Sequence, residues 1–109
     1  TPTVTAGTGS FTTVGAAGRW ARFGNIVVFG ILISIVDNGT AAVYIQATLP
    51  HTTHASNYTA CAGRCSAISG KLIGGTIGAS SGLVGIQNYD GTYPGATGEN
   101  ITLFGCYET

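Results

Sequence analysis

The sequence predicts an all-β domain built as an antiparallel β-sandwich, and three observations carry that expectation. Eighteen glycines are spread through the 109 residues, each costing about 1 kcal/mol relative to alanine inside a helix. Apolar residues rarely recur at the three-four spacing of a helical face. Short stretches rich in Val, Ile, Thr and aromatic residues recur instead along the chain, separated by Gly, Asn, Asp or Pro.

Taken in order, strands are expected over residues 3–5, 11–14, 19–23, 26–36, 41–49, 71–79, 83–88 and 100–107, a number that suits a sandwich or jelly roll. Gly24-Asn25 divides the third stretch from the fourth. Asp37-Asn38-Gly39 divides the fourth from the fifth, and Asn-Gly supplies the positive φ angles of a tight type I′ hairpin. These turns predict a three-stranded antiparallel meander over residues 19–49. In its last strand Ala41, Val43, Ile45, Ala47 and Leu49 alternate with Ala42, Tyr44, Gln46 and Thr48, so one face enters a core. The strand before it is apolar on both sides, with Ile26, Val28, Leu32 and Val36 on one and Val27, Phe29, Ile31, Ile33 and Ile35 on the other. A sandwich buries one face only, so the second is expected to be covered by another subunit. Residues 51–70 are the least strand-like and read as a long loop with at most one short strand. Residues 88–99 form a second loop.

Charged residues make up 7% of the chain, against about 25% in an ordinary soluble domain. The eight are Arg19, Arg22, Arg64, Lys71, Asp37, Asp90, Glu99 and Glu108, and they sum to zero. No basic run supplies the footprint that dominates nucleic-acid affinity, so DNA and RNA are not expected partners. The apolar run 26–36 falls well short of the ~20 residues of a spanning helix, and no membrane insertion is expected. No Met and no leader pattern opens the sequence, which is expected of a fragment or processed product. Cys61, Cys65 and Cys106 are an odd set and read most simply as free thiols in a packed interior.

Few residues offer chemistry. His51-x2-His54-x6-Cys61-x3-Cys65 gathers metal-ligand types, but its spacing is not that of a zinc module. His51 and His54 are therefore read as loop histidines, and no cofactor is expected. Asp37 is a turn residue, and only Asp90 and Glu99 share a loop as a possible carboxylate pair, so no enzymatic activity is expected. Gly70-x3-Gly74-Gly75 lies in strand-like sequence with no helix after it, which does not suit a phosphate cradle. Trp20 and Arg22 share one strand face and would serve either as a sugar or carboxylate platform or as a subunit contact. In the second loop Tyr89, Asp90 and Tyr93 stand among glycines and Pro94. Either they form a stacking platform with an acceptor for a glycan, or they cover the edge of the sandwich. Asn38, Asn57 and Asn100 begin N-x-Thr sequons, which matter only in a eukaryotic secretory host.

Thr1-Pro2-Thr3-Val4-Thr5, the stretch from Gly18-Arg19-Trp20-Ala21-Arg22-Phe23-Gly24-Asn25 into Ile26-Val27-Val28, Ala47-Thr48-Leu49-Pro50 and Gly105-Cys106-Tyr107-Glu108 together resemble the carboxy-terminal module of bacteriophage tail fibres and tailspikes. The resemblance spans nearly the whole chain. It implies a jelly-roll sandwich similar to tumour-necrosis-factor-like homotrimers, carried on the tail appendage of a virion. Such a module would bind a host cell-surface receptor such as a glycan or outer-membrane component, or hold the trimer together as a purely structural cap. The Cys and His content of residues 51–65 departs from the pattern, and no binding residue transfers from a motif.

Overall fold

The computed structural model describes residues 2–54 and 59–109. Its strands are β1 (Val4–Thr8), β2 (Thr13–Phe23), β3 (Ile26–Asp37), β4 (Ala42–Thr48), β5 (Thr59–Cys65), β6 (Leu72–Ile77), β7 (Leu83–Asn88) and β8 (Asn100–Glu108), with no helix among the described residues. All pair antiparallel in one sheet of order β1-β4-β7-β6-β5-β8-β3-β2. A flat sheet of eight strands would be about 34 Å wide. The molecule measures 38 × 22 × 22 Å, so the sheet curls, with its long axis matching the β2–β3 hairpin. Strands β8-β5-β6-β7 have the order of a Greek key.

The curl encloses one core, in which Val27, Phe29, Ile31, Ile33 and Ile35 of β3 meet Ile45, Ile73, Ile77, Val84, Ile86, Ile101, Leu103 and Tyr107. Burial of each such aliphatic side chain contributes about 1.5–3 kcal/mol. The alternate residues of β3 turn outward, with Ile26, Val28, Leu32 and Val36 all at least 42% exposed. The two apolar faces read from the sequence are therefore unequal in one chain: the first is core and the second is bare.

The meander expected over residues 19–49 is half right. β2 and β3 form a hairpin in continuous register from Phe23↔Ile26 to Val14↔Ile35, turning at Gly24 with φ 62°. β4 does not pair with β3. It lies between β1 and β7, because both edges of β3 are taken by β2 and β8. The Asn38-Gly39 turn is also not type I′, since Gly39 has φ 59° but Asn38 is not among the positive-φ residues. The Asp37 carboxylate accepts the Gly39 N–H at 3.1 Å, Asn38 Nδ2 donates to the Ala41 carbonyl at 3.0 Å, and the preceding chain binds across the turn through Thr12 N to Asp37 O and Thr40 N to Ser10 O. The result is a long ribbon, β1–β2 against β3–β4, whose halves lie at opposite margins of the sheet. Val43, expected to face inward, is 48% exposed at φ 76°, beside a register shift between β1 and β4 that has the character of a bulge.

Residues 51–70 hold more structure than expected. β5 is a seven-residue strand at the centre of the sheet, between β6 and β8. It is short of β-branched side chains, which conceals it from a propensity reading. The three cysteines are free, as expected, but only Cys65 is buried. Cys61 is half-buried and Cys106 is exposed. The Asn57 sequon lies outside the described residues.

Candidate functional site

Three regions bear on function: the loop after β7, the outer face of β3 and its neighbours, and the seam where β1 and β2, the two ends of the sheet order, approach each other.

The loop at residues 88–99 is internally saturated. Asp90 Oδ1 accepts both the N–H and the hydroxyl of Thr92, and Lys71 reaches its other oxygen at 3.5 Å. The Thr92 hydroxyl first, then the Thr92 N–H, hold the Asp90 carboxyl below its ordinary range. Tyr93 packs against the core and donates to Asn38 Oδ1 at 2.6 Å, and burial pushes its phenol up to about 12. Tyr89 alone of the expected trio stands clear, 73% exposed. Asn88, 7% exposed, ties the loop base through Thr92 Oγ1 and the Tyr93 carbonyl.

At the end of the same loop lies Glu99, which the sequence offers only as a possible carboxylate partner of Asp90. Glu99 is 1% exposed, and its carboxylate accepts the backbone N–H groups of Ala67, Ile68, Ser69 and Asn100 at 3.0–3.1 Å. Burial works to raise its pKa, and the four N–H donors outweigh burial, leaving it below its ordinary value. This is an anion in a backbone nest, staple to the β5–β6 connection and occupied by the chain's own carboxylate. Glu99 is thereby removed from any catalytic pair with Asp90.

The outer face is read from the register. Residues paired across strands share a face, so Phe23–Ile26–Glu108, Ala21–Val28–Cys106, Arg19–Gly30–Phe104–Ala62 and Ala17–Leu32–Thr102–Arg64–Leu72 form successive rows across β2, β3, β8, β5 and β6. Phe23, Ile26, Val28, Leu32, Leu72 and Phe104 are 42–69% exposed. Gly30 leaves a shallow depression between Ala17, Arg19, Leu32, Thr102 and Phe104. An exposed apolar sheet face of this extent, interrupted by Arg19, Arg64 and Glu108, is rare on a monomer.

The seam lies at the other side of β2. Trp20 and Arg22 point inward, opposite Phe29 and Val27, yet they do not form a joint platform. Arg22 Nε donates to the Gly24 carbonyl at 2.7 Å and braces the hairpin turn, while Trp20 remains 53% exposed. The indole meets His51 edge to face, with centroids 4.8 Å apart and planes at 89°. His51 is fixed in turn by Tyr107, whose hydroxyl accepts the His51 N–H at 3.1 Å and donates to the His51 carbonyl at 2.8 Å. Beside Trp20 a cleft of about 160 Å³ opens between β2 and the end of β4, walled by Pro2, Arg19, Thr48, Leu49 and Pro50. His51 Nε2 is buried and is the one buried side-chain polar atom without a hydrogen-bond partner among the described residues.

The possible metal ligands do not converge. His51 faces Trp20, His54 is exposed, and no group of three or more His, Cys, Asp or Glu side chains suited to a metal occurs among the described residues. Cys65 Sγ donates to the Pro94 carbonyl at 3.5 Å; burial pushes its thiol pKa up, and burial pushes that of Cys61 up to about 11. Raised thiols are poor nucleophiles and poor ligands. No helix of the described residues is long and apolar enough to cross a membrane. Comparison of the chain with family models, curated proteins and solved structures finds no match.

Proposed function

We propose that this chain is the distal module of a bacteriophage tail fibre or tailspike, folded as a jelly-roll sandwich, assembled as a homotrimer and used to hold a host cell-surface glycan, with no catalysis of its own. The observation that carries this reading is the bare outer face of β3 and β8. Ile26, Val28, Leu32 and Phe104 lie in adjacent rows, and a second copy of a chain with so few charges is the partner whose chemistry matches them. The nested pairs β3–β8, β4–β7 and β5–β6 support the jelly-roll assignment, and the terminal motifs support the tail-fibre one.

Sedimentation equilibrium at micromolar concentration tests the assembly. A species near three times 11.0 kDa is expected. Leu32→Asp, on the outer face, should give a folded 11 kDa monomer with an unaltered far-UV spectrum. A wild-type monomer under the same conditions overturns the trimer.

A second reading, a structural cap with no ligand, is favoured by one specific observation: Asp90 and Tyr93 spend their polar atoms within the chain. Glycan binding by the trimer distinguishes the two.

A further inference from the structure

We infer that the cleft beside Trp20, and not the loop at residues 88–99, is where a saccharide binds, and that it takes a single pyranose ring against the indole. This inference rests on the recognition role proposed above. The indole is half exposed on the inward side of an edge strand, and its orientation is set before any ligand arrives. The chain of support runs from Tyr107 on β8, through two hydrogen bonds to the His51 backbone, to the His51 ring against the indole. A preorganised aromatic face is what a sugar's C–H face stacks upon at low entropic cost. Around it the cleft is walled by Pro2, Leu49 and Pro50 and floored by Gly18, Arg19 and Gly30 of β2 and β3. The His51 ring that braces the indole has a buried Nε2 with no hydrogen-bond partner among the described residues. The aromatic is thus open to a ligand here, in contrast to the loop, whose Asp90 and Tyr93 are already bound within the chain.

The size and ends of the cleft select the ligand class. A volume of about 160 Å³ accommodates one sugar ring. An extended peptide would run along the free edge of β2, but Pro2 closes that edge at Gly18, where a Cβ would lie 3.0 Å from the proline ring. Pro2 and Pro50 shorten the groove from both sides, so strand addition is disfavoured and a compact ring is favoured.

Trp20 is the single tryptophan, so intrinsic emission reports on this cleft alone. The full chain is titrated with methyl α-glucoside, methyl α-mannoside, methyl β-galactoside, N-acetylglucosamine and N-acetylneuraminic acid, with saturation-transfer NMR run in parallel. At least one sugar should quench and shift the emission saturably, with a Kd on the order of millimolar. Trp20→Ala should weaken that sugar by about tenfold or more, Trp20→Phe should recover part of the loss, and Tyr89→Ala should change nothing, all read by NMR. Sugar binding that survives Trp20→Ala undiminished overturns the cleft and leaves the recognition role standing. Absence of binding in both readouts overturns both. Loss of the trimer in a folded Trp20→Ala chain makes the cleft a subunit contact, and saturable quenching by a proline-rich peptide with none by sugars assigns it to peptide; either result ends the proposal.

Discussion

The loop at residues 88–99 and the seam at Trp20 invert what their compositions suggest. The loop has two tyrosines, an aspartate and a spread of glycines, the composition of a recognition surface. Its polar atoms are nevertheless matched internally, Asp90 by Thr92, Tyr93 by Asn38 and Glu99 by four backbone amides. The seam, made of prolines, an indole and a histidine, keeps an orphan imidazole nitrogen and an exposed indole. Residue types suited to binding are also suited to tying a loop down, and only the partner of each polar atom separates the two uses.

The comparison breaks most visibly at Glu99. Glu99→Gln keeps the shape and removes the charge, leaving amide hydrogens where the nest offers N–H donors. It should cost about 2–3 kcal/mol of unfolding free energy in a denaturant titration. The acid limb gives an independent check. Because the folded pKa lies below the ordinary 4.5, the contribution of Glu99 is fully present above that pH and is lost as pH falls through the folded value. The variant should therefore show a shallower decline in stability below pH 4.5 than the wild type. Equal stability and an unchanged acid limb would show that the nest contributes nothing and that the loop is not saturated in the sense argued here.

How much of this was legible beforehand follows the distance over which each feature is decided. Strands β3, β7 and β8 were visible in their β-branched runs, and the alternation along β3 correctly separated Ile33 from Leu32, at 0% and 46% exposure. The Asp37 turn was visible too, because its partner is two residues away. Pairing of β4 was not: Asn38-Gly39 speaks only of a reversal, whereas β8, some seventy residues on, decides whether the edge of β3 is free. β5 was hidden because Ala, Gly and Cys carry little strand signal. The nest around Glu99 was hidden because three of its four donors lie thirty or more residues earlier and gather only when the chain is folded. Trp20 was singled out with Arg22, as a platform or a subunit contact, on strand alternation alone. Its companion is His51, brought across the curl.

A smaller effect is expected at Tyr93. Tyr93→Phe removes the hydroxyl that binds Asn38 Oδ1 and should cost about 1 kcal/mol. The folded phenol titrates near 12 against an ordinary 10, so the folded state retains a proton that the unfolded chain releases. Its contribution is present below pH 10 and declines from there toward pH 12. Cys61, raised from 9 to about 11, declines over an overlapping window, so the difference between variant and wild type isolates the phenol. A variant with the same alkaline limb as the wild type would mean that Tyr93 is not held in the core, and that the loop retains a second free ring beside Tyr89.

The smallest effect belongs to Tyr89, and it sharpens the contrast from the other side. At 73% exposure the ring has little to lose on truncation, and a surface substitution away from caps and strained turns is ordinarily worth within about 0.5 kcal/mol. Its backbone N–H does bind, to the Leu72 carbonyl at 3.0 Å, but that bond survives in Tyr89→Ala. The melting temperature should hold, and so should any saccharide affinity, because a lone ring without a matched acceptor or a second wall lacks the concavity that a specific site requires. Asp90, the neighbour that would have supplied the acceptor, is already bound by Thr92 and Lys71. Cell-binding and melting measurements on Tyr89→Ala therefore decide the comparison: a stable variant with lost binding would return recognition to the loop, despite the saturation of its polar atoms. A stable variant with intact binding leaves Trp20, held from behind by His51 and Tyr107, as the aromatic on which a ligand rests.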